Sequence, residues 1–219
     1  MRSAPIPIPL RLEGPPSLSP VTRLQKALIR LDTDLRALGL KWALVGGFAV
    51  MLRVESRSTR DLDIVLAVTD DRQTDDAVLG LRLRGYRDHP TKPMLFRKDG
   101  RLFGVRLVSP PLDADDDTMA IVDVLTGCCG VEPQVVAAAE IREALPKVFI
   151  PVARSGHLVA LKVLAGRPQD QEDVRILLRE IEPKELQLAR QTLLSIEERG
   201  FNEEKDLLAE LEKLMDSLE

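Results

Sequence analysis

Two aspartates one residue apart, Asp61 and Asp63, stand in the apolar segment D-L-D-I-V-L. Successive side chains of a strand point to opposite faces, so both carboxylates share one face while Leu62 and Ile64 take the other. Carboxylates a few ångströms apart repel each other and are costly to desolvate without a cation. Because Mg²⁺ prefers oxygen ligands, the pattern predicts a site for a hard divalent cation, Mg²⁺ or Mn²⁺.

A glycine pair, Gly46-Gly47, precedes these aspartates and follows the short apolar strand predicted for Lys41–Val45. Glycine lets the backbone approach a ligand closely, and the helix predicted from Phe48 to Val54 would offer free N–H groups to a phosphate. A phosphate-bearing ligand beside the cation is therefore expected.

A third carboxylate, Asp123, lies in the apolar strand predicted for Met119–Leu125. A strand of this kind should not bury an aspartate alone, so Asp123 either joins the cation site or pairs with a structural arginine. The acidic run Asp113–Asp117 is a weaker source of a third carboxylate, since a solvated loop explains it.

Lys162 interrupts a helix, Gly156–Ala165, that is apolar on nearly all sides. Its ammonium group must extend to solvent or reach a partner, and a triphosphate is a suitable partner for a point charge. Asp170 and Asp173 follow in the next predicted helix, where capping by Asp170 and a solvated Asp173 are the alternatives to a role in the site.

The elements that must position these residues predict an α/β (α+β) fold, with a mixed sheet flanked by helices and a C-terminal helical bundle. We expect a flexible proline-rich arm at 1–20, a catalytic domain at 21–152 and a helical domain at 153–219. Three further predictions concern helices: one begins at Ser19-Pro20, Glu132–Leu145 is loosely helical, and Asn202 caps the last helix, Asn202–Leu218.

Composition gives a net charge of −4 for 219 residues, so the whole chain carries no basic signal for nucleic acid. Gly80–Leu107, however, has eight Arg and Lys against two Asp, a local charge of +6 that is either a solvated face or a track for a phosphate backbone. The two cysteines are adjacent and form no disulfide framework, which favours the cytoplasm. No stretch of 18 apolar residues is present, so no membrane association is expected.

Taken together, Gly46-Gly47 and the run Arg57-Ser58-Thr59-Arg60-Asp61-Leu62-Asp63-Ile64 resemble the signature of the DNA polymerase β-like nucleotidyltransferase superfamily. The pattern G-G followed by R-x-T-x-D-h-D-h, with h apolar, is most similar to the AbiEii-like and MenT-like toxins of toxin–antitoxin systems. The run from Lys162 through Arg167 to Asp173 resembles a second motif of that family.

The resemblance implies metal-dependent transfer of a nucleoside monophosphate from an NTP to a hydroxyl, with release of pyrophosphate. It implies that Asp61, Asp63 and Asp123 are metal ligands, that these three and Lys162 are catalytic, and that Asp123 is the base for the acceptor hydroxyl. It further implies a nucleotide-binding set of Gly46, Gly47, Arg57, Thr59, Lys162, Asp170 and Asp173. For Arg57 a structural salt bridge is an equal alternative, and Thr59 either contacts phosphate or braces the strand.

The expected acceptor is the 3′ end of tRNA, and the expected partners are an NTP, the RNA and an antitoxin protein. Two rival functions remain open: transfer to a small molecule such as an antibiotic or metabolite, and a non-catalytic binding module. The basic segment favours RNA over a small acceptor.

Overall fold

The computed structural model describes residues 22–54, 59–98, 101–112, 119–127 and 129–218. Several predictions fall outside these ranges: the arm 1–20 with the helix start at Ser19-Pro20, the motif residue Arg57, and the acidic run 113–117. Within the described ranges, helices and strands alternate up to residue 152, and only helices follow.

The described strands form one mixed sheet of eight members, in the order β3-β5-β6-β2-β1-β8-β7 with β4 paired to β5. β2 runs parallel to β6 and antiparallel to β1, while β5 runs antiparallel to β6. The strand bounds are β1 Trp42–Val45, β2 Asp61–Leu66, β3 Arg87–Asp88, β4 Met94–Lys98, β5 Arg101–Val108, β6 Ile121–Leu125, β7 Glu140–Leu145 and β8 Val148–Val152. The strands predicted around Asp61 and Asp123 are therefore confirmed.

Eight helices cover the sheet and extend beyond it within the described residues. Their bounds are α1 Arg23–Ala37, α2 Gly46–Arg53, α3 Asp71–Leu83, α4 Glu132–Ala137, α5 Ser155–Ala165, α6 Pro168–Arg179, α7 Pro183–Glu198 and α8 Leu207–Asp216. Thr22 caps α1 through a capping box with Gln25, so the described helix begins later than the predicted Pro20.

Two predicted elements are wrong. Glu132–Leu145 is not one loose helix, because only α4 is helical and the rest forms the edge strand β7, paired with β8. Pairing with a neighbouring strand overrides local helix propensity there. The last helix begins at Leu207 with Asp206 as its cap rather than at Asn202, since Glu203 and Glu204 have positive φ and cannot continue a helix.

One apolar core joins the sheet to the C-terminal helices. α5 and α7 approach each other closely at Gly156, where a Cβ would stand 2.3 Å from the carbonyl oxygen of Glu185. Within the helical wall, these two helices are therefore packed backbone to backbone. No helix in the described ranges has the length and apolar character needed to cross a bilayer.

Candidate active site

The predicted carboxylates meet in a row across neighbouring strands. Asp63 of β2 lies opposite Asp123 of β6 in the parallel register, and Arg106 of β5 lies opposite Asp123 in the antiparallel register. Directly paired residues of neighbouring strands share a face, so Arg106, Asp123 and Asp63 project to the same side of the sheet. Asp61, two residues before Asp63, projects to this side as well.

The two carboxylates of β2 have raised pKa values. Burial raises the pKa of Asp63 to about 6, and Asp123 adds to the rise while Lys162 opposes it. Burial also raises the pKa of Asp61, again with a contribution from Asp123 and against the influence of Arg106. In the ionised form, neither carboxylate has enough nearby positive charge to offset the cost of burial. A bound cation would supply that charge.

Arg106 is the cation nearest to this row among the described residues. Its Nε and Nη2 donate to the two carboxylate oxygens of Asp123 at 2.8 and 2.7 Å, and Nη2 lies 4.0 Å from a carboxylate oxygen of Asp61. This geometry is the arginine pairing that the sequence left open for Asp123. Across the described ranges, no group of three or more His, Cys, Asp or Glu side chains is arranged to hold a metal ion.

Gly46 brings the backbone against Asp63. Its φ is +65°, and a Cβ placed there would stand 1.9 Å from Oδ2 of Asp63. Only glycine satisfies both conditions, because the left-handed conformation disfavours any other residue and the carboxylate occupies the space of a side chain. The glycine predicted to allow close approach therefore frames the carboxylate itself, and α2 begins at this residue.

Lys162 faces the row from the helical side, but its ammonium group is already paired. Its Nζ lies 2.8 Å from Asp170 and 2.7 Å from Asp173, and all three side chains are buried. Arg167 also binds Asp170, through Nε at 2.5 Å. Although burial raises the pKa of Asp170, the hydrogen bonds from Arg167 and Lys162 outweigh it and lower that pKa overall. The second motif thus forms one ion-pair cluster between α5 and α6.

Thr59 supports the strand rather than the cleft in this structure. Its hydroxyl donates to the carbonyl oxygen of Asp61 at 3.4 Å, which corresponds to the bracing role. The predicted contact of Arg57 lies outside the described residues. Gly47 follows Gly46 in the first turn of α2.

A cleft of about 650 Å³ lies between the sheet and the helical wall. Its polar end is lined by Gly46, Asp63, Arg106, Asp123, Lys162, Arg167 and Asp170, which include five of the ten predicted site residues. We refer to its apolar lining residues as the apolar end: Phe103, Leu125, Cys129, Leu158, Leu161 and Phe201. Glu203 and Lys205, which follow Phe201 in the chain, also line the cleft. Sequence reasoning missed the apolar end, since its residues come from segments far apart in the chain that no local pattern connects.

The connection between α7 and α8 closes the apolar end. Phe201 meets Phe103 edge to face, with ring centroids 6.3 Å apart. Arg199 donates to the carbonyl oxygen of Gly130, and Lys205 donates to that of Leu164 at 3.2 Å. This connection is therefore anchored on both walls of the cleft.

Two arginines of the basic segment, Arg84 and Arg106, pair with carboxylates outside it, and Arg82 pairs with one inside it. Arg82 pairs with Asp88, and Arg84 pairs with Asp34, at 2.8 and 3.1 Å. Together with Arg106, three of its basic side chains are compensated by carboxylates. Arg87 and Lys92 are exposed.

A mixed sheet that presents carboxylates to a cleft, with a helical wall opposite, defines a nucleotidyltransferase-like fold. The family model described as "Nucleotidyl transferase AbiEii toxin, Type IV TA system" matches residues 30–218. The chain therefore belongs to the AbiEii family of nucleotidyltransferase toxins, which act within toxin–antitoxin systems.

Solved structures with a similar fold are remote in sequence. An antigenic nucleotidyltransferase-like protein from Paracoccidioides brasiliensis has 16% identity and a TM-score of 0.48, with 87% of this chain and 91% of that chain covered. The antibiotic-resistance factor ANT(2'')-Ia has 14% identity and a TM-score of 0.47, with coverage of 78% and 92%. The lincosamide antibiotic adenylyltransferase LnuA has 15% identity and a TM-score of 0.43, with coverage of 72% and 98%. A comparison with curated proteins gave no significant match.

Proposed function

We propose that this toxin transfers a nucleoside monophosphate from an NTP to a hydroxyl, and that the acceptor is the 3′ end of tRNA. The observation that carries the proposal is the polar end of the cleft, where the paired residues Asp63 and Asp123 face Lys162 and Arg167. A volume of about 650 Å³ is in the range of sites that bind one small ligand, and suits one nucleotide.

The donor set fits a divalent cation. Asp61 and Asp63 offer carboxylate oxygens on one face of β2, and Mg²⁺ commonly takes one or two carboxylates together with substrate phosphates. Asp123, opposite Asp63, is the proposed third ligand. A bound Mg²⁺ or Mn²⁺ would stabilise the charge that develops on the transferred phosphoryl group.

The chain's own residues bind and orient the nucleotide. Gly46 lets the backbone approach the phosphates beside Asp63, and Arg167, whose side chain is 74% exposed, reaches the cleft with hydrogen-bond donors to spare. Asp123 is the proposed base that takes the proton of the acceptor hydroxyl, because it lines the cleft beside Asp63. Lys162 contributes one positive charge to this end while it remains paired with Asp170 and Asp173.

The apolar end offers room for the nucleobase. Phe103 and Phe201 present aromatic surface next to the polar end, and every base has a face that stacks on such a surface. With the nucleotide inside the cleft, the acceptor must enter at its mouth. A single-stranded RNA end meets that requirement, and exposed Arg87 and Lys92 supply charge for its backbone.

The test is nucleotide transfer by the purified protein with Mg²⁺, each labelled NTP in turn, and total tRNA. We expect label at the tRNA 3′ end, loss of at least 100-fold in Asp63→Asn, and no loss in the control Asp75→Asn, whose side chain is exposed on α3. Periodate oxidation of the tRNA, which destroys the terminal diol, should abolish labelling.

Labelling of tRNA that has been oxidised with periodate beforehand would contradict the proposal that the 3′ end is the acceptor. Label on a small molecule but not on RNA would replace tRNA by the second candidate, an antibiotic or metabolite acceptor bound at the apolar end. Absence of transfer to any acceptor would overturn the proposed reaction.

A further inference from the structure

Arg106 is paired with Asp123, the proposed third metal ligand. Its guanidinium uses two donors on the two oxygens of Asp123, and a third contact, at 4.0 Å, reaches Asp61. The side chain of Asp123 is only 8% exposed, so solvent contributes little to its compensation. Arg106 is thus the counter-ion of Asp123 and sits between two of the three proposed metal ligands.

A divalent cation and this guanidinium cannot both hold Asp123 in the same way. Each is positive, and both would lie within a few ångströms of the same carboxylate in a partly desolvated cleft, where repulsion between like charges is strong. The bidentate contact also engages both carboxylate oxygens of Asp123. Binding of a cation by Asp63 and Asp123 together therefore requires that Arg106 give up at least one of its two hydrogen bonds.

We propose that Arg106 competes with the divalent cation for Asp123 and, once displaced, binds the triphosphate. This inference rests on the proposed function, and it makes Arg106 a nucleotide-binding residue that couples metal binding to nucleotide binding. Arg106 lines the cleft, so its released guanidinium faces the nucleotide rather than solvent. A planar group with five donors matches phosphate oxygens at short range.

The consequence is a reciprocal linkage between two ligands. Metal alone binds weakly, because it must break the pair of Arg106 and Asp123 without offering the arginine a new partner. Nucleotide supplies that partner, so it raises the affinity for metal beyond what its own phosphate oxygens contribute. Thermodynamic linkage requires that metal raise the affinity for nucleotide by the same factor.

The test measures binding rather than turnover. Mn²⁺ affinity is measured by electron paramagnetic resonance, with and without an NTP analogue that carries an α,β-methylene bridge. We expect Arg106→Gln to bind Mn²⁺ alone about tenfold more tightly than the wild type and to bind the analogue about tenfold more weakly. Arg82→Gln, which removes an exposed arginine paired with Asp88, is the matched control and should change neither value.

Two further variants keep the outcome interpretable. The double variant Arg106→Gln with Asp123→Asn should lose the gain in Mn²⁺ affinity, because that gain acts through Asp123, and it removes the unpaired buried carboxylate that threatens folding. Arg106→Lys, which retains the charge but not the bidentate contact, should fall between wild type and Arg106→Gln. Circular dichroism and thermal unfolding establish that each variant is folded.

Unchanged or weaker Mn²⁺ binding in folded Arg106→Gln would overturn the inference, and so would a gain that persists in the double variant. Neither outcome touches the transfer reaction, which is assayed separately on the wild type. Conversely, tighter Mn²⁺ binding in Arg106→Gln together with a wild type that transfers no nucleotide would leave the inference standing and remove the proposed function.

Discussion

Replacement of Gly46 by alanine is the sharpest test of how the backbone frames the carboxylates. Gly46 and Gly39 have nearly the same backbone conformation, with φ of +65° and +67°. A Cβ at Gly39 would meet nothing within 4 Å, whereas one at Gly46 would stand 1.9 Å from Oδ2 and 2.4 Å from Cγ of Asp63. The two glycines therefore separate backbone strain from collision with the site.

The magnitudes follow from these distances. The left-handed conformation costs an alanine about 1–2 kcal/mol, and the reduced freedom of the unfolded chain returns about 0.4–1 kcal/mol. Gly39→Ala should therefore lose about 1 kcal/mol in the free energy of unfolding. Non-bonded atoms prefer a separation of about 3.5 Å, so Gly46→Ala must displace the carboxylate by roughly 1.5 Å. Overpacking of this kind adds about 1–3 kcal/mol.

The assays are urea denaturation and nucleotide transfer. Displacement of a reacting group by about 1 Å costs on the order of 100-fold in rate, so Gly46→Ala should lose at least that factor while Gly39→Ala keeps wild-type activity. If Gly46→Ala transferred nucleotide within about threefold of the wild type, the close approach to Asp63 would not matter for the reaction. An equal loss in both variants would trace the effect to backbone strain alone.

Two other predictions concern the buried charges of α5. Lys162→Met should cost about 3–5 kcal/mol of stability, because it removes the ammonium group from the buried carboxylates of Asp170 and Asp173 and leaves Asp170 with Arg167. A triple variant with Asp170→Asn and Asp173→Asn should regain most of this loss in urea denaturation. The rate of nucleotide transfer by the triple variant should remain at least tenfold below that of the wild type. A wild-type rate in this variant would show that Lys162 has only a structural role. Burial, followed by the charge of Arg154, lowers the pKa of His157 to about 4 from an unfolded value near 6.5. Because the unfolded chain binds the extra proton between these values, about 3 kcal/mol of stability should be present above pH 6.5 and lost as the pH falls to 4. His157→Leu should lack this component in urea denaturation across that range, and an unchanged pH profile would contradict it.

The sequence predicted what depends on spacing along one element. Alternation in β2 placed Asp61 and Asp63 on one face, and the structure has them there. The single polar residue in an apolar strand identified Asp123 as the third carboxylate, and register brings it opposite Asp63. Such inferences succeed because the period of a strand fixes side-chain direction without reference to any partner.

Side-chain contacts between different elements could not be predicted in this way. Arg106 counted only as one charge of a basic segment, since its pairing with Asp123 depends on the register between β5 and β6. Lys162 was predicted to reach a triphosphate, but the structure pairs it with Asp170 and Asp173, eight and eleven residues later. Phe201 joins the cleft through a connection in which Glu203 and Glu204 have positive φ, and nothing in the sequence signals that conformation.

The charge balance at the polar end of the cleft links the proposed cation to Arg106. The described carboxylates at and beside this end outnumber the described basic side chains by two. The carboxylates are those of Asp61, Asp63, Asp123, Asp170 and Asp173, and the basic side chains are those of Arg106, Lys162 and Arg167. One divalent cation removes the deficit. Burial, and then the charge of Asp123, raises the pKa of Asp63 to about 6. A triphosphate then adds several negative charges, and of these three basic groups Lys162 is already shared between two buried carboxylates. The charge must therefore be met by metal, by Arg167, and by an Arg106 that the metal has displaced from Asp123.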